Sequence, residues 1–130
     1  MDVVASYDID GVIYQGPRVP GLKPRPQDII ITGRSFQEKT ETRRMLESKG
    51  IYNPMWMNPV YFEEKTRESS GYHKAKILNE LVNAGYPELV VHYEDDPVQG
   101  EIIKQECPWI EVIMVISDLV EKENVRHEFP

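Results

Sequence analysis

The 130-residue chain has one cysteine, three histidines and no apolar run near the roughly 20 residues that a membrane-crossing helix needs. Each shortage removes a class of explanation. Cys107 alone cannot close an intramolecular disulfide, and with no histidine beside it the residue reads as a half-buried structural thiol. His73, His92 and His127 are dispersed and have no cysteine companions, so zinc-ligand spacing is missing. Basic residues are also scarce: 15 Lys and Arg against 22 Asp and Glu give a formal charge of -7. That balance argues against strong non-specific nucleic-acid binding and against an anionic membrane surface, both of which need a basic face. The start Met1-Asp2-Val3-Val4 has neither the basic region nor the cleavage site of a secretory signal, which sets the expectation of a cytoplasmic protein. The length suits a single domain over residues 1–130 with one modest core.

What is present is an alternation of two patterns. Apolar, β-branched runs at 3–9, 28–32, 51–57, 88–93 and 109–116 read as strands. Between them, 36–49, 72–84 and 98–106 read as helices, the first two stopped by Gly50 and Gly85. Residues 12–27 hold Pro17, Pro20 and Pro24 with Gly16 and Gly21, an irregular, flap-like connection, and 60–71 read as a polar loop. A charged C-terminal tail is expected over 118–130. Strands alternating with helices predict an α/β fold: a three-layer, Rossmann-like domain around a mainly parallel sheet.

In such a sheet the working crevice lies beyond the carboxyl ends of the strands. Asp8 and Asp10 follow the first strand, Thr32, Gly33 and Arg34 the second, and Glu94, Asp95 and Asp96 the fourth. Carboxylates brought together from several strand ends repel one another unless a divalent cation or protonation relieves them. Oxygen donors of this kind suit Mg²⁺.

The segment Asp8-Ile9-Asp10-Gly11-Val12, a strand ending in Thr32, Lys74 near a helix start and the acidic pair Asp95-Asp96 resemble, in this order, the four motifs of the haloacid dehalogenase-like (HAD) superfamily. The resemblance covers most of the chain, which has no room for a large cap. It implies a Mg²⁺-dependent phosphomonoesterase with Asp8 as nucleophile and Asp10 as general acid and base. Thr32 and Gly33 would hold the phosphoryl oxygens, and Lys74 would balance the charge of Asp8. The metal would be bound by Asp8, by Asp10 through its backbone carbonyl, and by Asp95, with Asp96 as an alternative. Val12 stands where many of these phosphatases carry threonine. A narrower resemblance, to the phosphatase domain of phage-type polynucleotide kinases, rests on Ile31-Thr32-Gly33-Arg34, Thr42-Arg43-Arg44-Met45-Leu46, Gly50-Ile51 and Met57-Asn58-Pro59. That group usually has arginine where this chain has Asn58. The expected partner is a phosphorylated substrate, either a small molecule or a nucleic-acid end.

Several positions carry two readings. Arg34 either grips a substrate phosphate or pairs with Glu94. Glu94 is either a metal-site residue or an acceptor behind it. His73 and His92 read as structural or surface residues, and Trp56 and Met57 as core packing. Glu38, Lys39, Glu41, Arg43, Arg44 and Glu47 read as a solvated helix face. The alternative function is a non-catalytic Mg²⁺- and phosphate-binding regulatory module with the same fold.

Overall fold

The computed structural model describes residues 3–117; the expected tail over 118–130 lies outside the described residues. Among the described residues, five strands, β1 (Val4–Tyr7), β2 (Ile29–Ser35), β3 (Met55–Asn58), β4 (Leu89–Glu94) and β5 (Glu111–Met114), alternate with three α-helices, α1 (Lys39–Ser48), α2 (Arg67–Asn83) and α3 (Pro97–Glu106). They form one sheet in the order β3-β2-β1-β4-β5, and every pairing is parallel. This is a Rossmann-like α/β arrangement. Among the described residues, no helix is long and apolar enough to cross a membrane.

The apolar side chains divide by strand periodicity into two clusters, one on each face of the sheet. Ala5, Tyr7 and Ile30 pack with Met45 and Leu46 of α1 and with Ile9, Val12, Ile13 and Ile51. Ile29, Ile31 and Leu89 pack with Ala75 and Leu78 of α2, Ile103 of α3, and Cys107 and Ile110. All seven residues of β2 are buried, as expected of an inner strand covered on both sides. Tyr7 and Tyr93 stack across β1 and β4 with ring centroids 4.6 Å apart.

β3 starts at Met55 where 51 was expected, α1 starts at Lys39 after a 3-10 turn over Phe36–Glu38, and β5 is shorter than 109–116; three further differences bear on the crevice. β1 ends at Tyr7, so Asp8-Ile9-Asp10 form a tight turn in which the Ile9 carbonyl accepts from the N–H groups of Val12, Ile13 and Tyr14. β2 runs on through Ser35, placing Thr32, Gly33 and Arg34 within the strand, where its pairing with β3 loses regular register. The largest difference is α2, which starts at Arg67 although 60–71 read as loop. Thr66 caps it: its hydroxyl accepts from the N–H of Ser69, and the Ser69 hydroxyl accepts from the N–H of Thr66. Gly71 lies inside the helix because α3 approaches it closely; a Cβ there would come within 3.1 Å of Ile102 Cδ1 and 3.2 Å of Gln99 Cα.

Candidate functional site

β1 has β2 on one side and β4 on the other, and the chain winds away from it in both directions. A crevice opens at the carboxyl end of a parallel sheet at such a reversal. Asp8 leaves β1 there, and Glu94 ends β4 with Asp95 following. Asp8, Glu94 and Asp95 are all buried, and each offers one carboxylate oxygen within 4.8 Å of the others. Gly11 lets them close up. Its φ is +84°, and a Cβ at that position would fall on Asp95 Oδ2.

Lys74 enters from α2 and is fully buried. Its Nζ lies 3.2 Å from Asp8 Oδ1 and donates to Glu94 Oε1 at 2.8 Å. Lys76, two residues along, is exposed, which agrees with Lys74 being the lysine turned to the site. Three carboxylates and one ammonium leave an excess of two negative charges. The donor set, all hard oxygen, suits a divalent cation such as Mg²⁺ held by Asp8, Glu94 and Asp95. Glu94 is thus placed both as an acceptor for Lys74 and as a member of the carboxylate group.

The other carboxylates are differently engaged. Asp10 is gripped by Arg34, with Nε to Oδ2 at 2.9 Å and an Nη to Oδ1 at 2.8 Å, so the expected alternative of an Arg34–Glu94 pair is replaced by an Arg34–Asp10 pair. Arg34 also donates to Thr42 Oγ1 and lies over the Tyr14 ring. Burial works against the guanidinium charge, and Asp10, together with Glu38 and Asp8, more than offsets it. Asp96, expected as an alternative metal ligand, caps α3 by accepting from the N–H of Val98 and pairs with Arg67 through two bonds of 2.6 and 2.9 Å. Its carboxyl points into helix capping and an ion pair that the sequence did not reveal, because Arg67 lies in the stretch read as loop.

Along β2, Thr32 Oγ1 accepts from the N–H of Arg34 at 3.0 Å. The Gly33 carbonyl receives the Asn58 amide at 3.2 Å and Lys65 Nζ at 3.4 Å. Thr32, Gly33 and Arg34 are all buried. Asn58 is fully buried as well, and its Oδ1 accepts from the N–H of Val60.

His73 and His92 are both buried, whereas Trp56 and Met57 are partly buried on β3. His73 is buried beside Lys74 and bonded to the Thr32 backbone; burial first, then the Lys74 charge, lower its pKa to about 4. His92 sits between Ser6 and Glu94. Trp56 packs against the α2–α3 cluster. Glu38, read as part of a solvated face, is buried, while Lys39, Glu41, Arg44 and Glu47 are exposed. Ser6 escaped the sequence reading; its one signal is a small polar residue at the centre of an apolar strand. Compared with protein-family models, with curated proteins and with solved structures, the chain finds no match in any of the three.

Proposed function

We propose that the chain is a Mg²⁺-dependent phosphohydrolase of the haloacid dehalogenase-like kind, without a large cap and with Asp8 as nucleophile. The observation that carries this reading is the buried grouping of Asp8, Glu94 and Asp95 with Lys74 reaching both Asp8 and Glu94, at the carboxyl end of a parallel sheet. Asp8, Glu94 and Asp95 would hold the metal. When bound, it neutralises charge on the carboxylates and on the phosphoryl oxygens.

A carboxylate oxygen of Asp8 attacks phosphorus, and the bond from phosphorus to the leaving oxygen breaks. The leaving oxygen takes a proton from Asp10, and Asp10 then takes one from the water that hydrolyses the aspartyl phosphate. Lys74 keeps its ammonium beside Asp8 through both steps. Thr32 and the Gly33 N–H are the groups proposed to hold phosphoryl oxygens. Proton uptake by Asp10 works against its two charge-assisted bonds from Arg34, so release of one of the two oxygens would favour it. Substrate phosphate is a competing acceptor for that guanidinium.

The substrate class proposed is a phosphomonoester, with nucleotides and nucleic-acid phosphate ends as candidates. Asn58 puts an amide bonded to the Gly33 carbonyl where the polynucleotide phosphatases usually have an arginine. The same Arg34–Asp10 grip favours a second reading, a non-catalytic Mg²⁺- and phosphate-binding module, because it holds the acid/base residue in an ion pair.

The test is phosphate release from p-nitrophenyl phosphate, nucleotides and 3′- or 5′-phosphorylated oligonucleotides, with and without Mg²⁺, by wild type and Asp8→Asn. Turnover that needs Mg²⁺ and disappears in Asp8→Asn is the expected result. Cation and phosphate binding without turnover on any substrate would favour the binding module.

A further inference from the structure

Behind the carboxylates a polar chain runs back into the sheet. Ser6 Oγ lies 2.6 Å from His92 Nδ1, and His92 Nε2 lies 3.0 Å from Glu94 Oε1, the same oxygen that Lys74 reaches at 2.8 Å. Ser6, His92, Glu94 and Lys74 are all fully buried. Ser6 and His92 are register partners in the β1–β4 ladder, a place that parallel sheets normally fill with Val, Ile or Leu. Burying two polar side chains there is unfavourable unless each is satisfied, and here the bonds lead to one end point, Glu94.

A carboxylate only accepts, so Nε2 carries the proton in the bond to Glu94. In the neutral ring Nδ1 is then the acceptor, and the Ser6 hydroxyl donates to it at 2.6 Å in preference to the Val91 carbonyl, which lies farther off at 3.4 Å. Ser6 thereby selects the tautomer, the tautomer supplies the donor, and two donors on Oε1 fix the rotation of the Glu94 carboxylate.

We propose that His92, oriented by Ser6, is a positioning residue for the divalent-cation site, setting the direction in which Glu94 presents its oxygens. The inference rests on the reading of Asp8, Glu94 and Asp95 as a cation site. Partners of this kind behind a ligand alter metal affinity by about 10- to 100-fold when removed.

The experiment is Mn²⁺ titration of the full chain, followed by calorimetry, for wild type, His92→Phe, His92→Gln and Ser6→Ala, with unfolding of each measured in a chelator. His92→Phe keeps the bulk and removes the donor; His92→Gln keeps an N–H near the place of Nε2. The expected result is affinity lowered about 10- to 100-fold in His92→Phe, largely restored in His92→Gln, and lowered to a lesser degree in Ser6→Ala. Folded His92→Phe with wild-type affinity overturns the proposal. If His92→Phe does not fold, Ser6→Ala decides: weakened binding supports the role, and unchanged binding overturns it. A wild-type chain that binds no Mn²⁺ removes the cation site and this role with it, whereas wild-type binding that ignores these variants removes the role alone.

Discussion

Arg34 and Asp10 face one another through two parallel N–H···O bonds, with 5% of the arginine and 3% of the aspartate exposed. Breaking a buried pair from one side leaves an uncompensated charge, at a cost of about 3–5 kcal/mol. Arg34→Met should therefore lower unfolding stability in urea by that order. Arg34→Met combined with Asp10→Asn should lose less than the two single changes added together.

Gly11→Ala tests the close approach of the turn to Asp95. The positive φ alone costs about 1–3 kcal/mol for a residue with a Cβ, and the added methyl occupies the place of Asp95 Oδ2. The expected outcome is a lower melting temperature together with weaker Mn²⁺ binding. A variant that melts early but binds Mn²⁺ as wild type does would separate the turn from the proposed cation site.

His73 makes stability depend on pH in a defined window. Its folded pKa of about 4 lies below its ordinary value of 6.5. As pH falls, the unfolded chain takes up a proton first, so the contribution is complete above about pH 6.5, declines towards pH 4 and is gone below it. The difference amounts to about 3 kcal/mol. Burial also opposes the charges of Asp28 and Asp96, but Arg25 and Arg67 with neighbouring N–H groups outweigh it and hold both carboxyls below their usual range. Their stabilisation is present above the ordinary carboxylate pKa and disappears at still lower pH. Urea unfolding at pH 7.5 and pH 4.5 should show the loss in wild type and a flatter response in His73→Gln.

Cys107 is fully buried, its thiol lies 3.4 Å from the Ala75 carbonyl, and burial pushes its pKa to about 11. Thiolate is the reactive form. Modification by a soluble thiol reagent should follow unfolding, rising with urea in step with the loss of secondary structure. Rapid labelling of the folded chain would contradict this.

Thr66→Ala removes the hydroxyl that caps α2 and should cost about 1 kcal/mol, read as a shift in the urea midpoint with unchanged slope. Because Lys74 is carried on α2, the same variant reports how far the helix start contributes to the placement of its ammonium.

The sheet was legible because its strands are apolar, β-branched runs, several of which end in carboxylates or polar residues. Asp8 and Asp95 were legible as residues at strand ends, and Lys74 through the helix pattern that carries it, although it lies about two turns inside α2 and not at the helix start that the sequence suggested. The start of α2 was not, since Arg67, Glu68, Ser69 and Ser70 have no apolar face and Gly71 reads as a breaker, while the reason for that glycine is the nearness of α3. The partners of Arg34 and Asp96 were hidden as well. Which acid meets which base depends on side-chain reach across strands, which spacing along the chain does not encode. Ser6 and His92 look like defects in apolar strands until the β1–β4 register joins them.

That register has a kinetic side. Tyr7 pairs with Tyr93 and Ser6 with His92, closing a loop of most of the chain, and loop-closure entropy rises with the length closed. Sheets of such non-local parallel pairs fold slowly. Asp8 can meet Glu94 and Asp95 only once this long closure is made, so a chain emerging during synthesis carries one part of the carboxylate group long before the rest. Acquisition of cation affinity would then be a late event in folding, and a stopped-flow Mn²⁺ signal would time the joining of the two halves of the sheet.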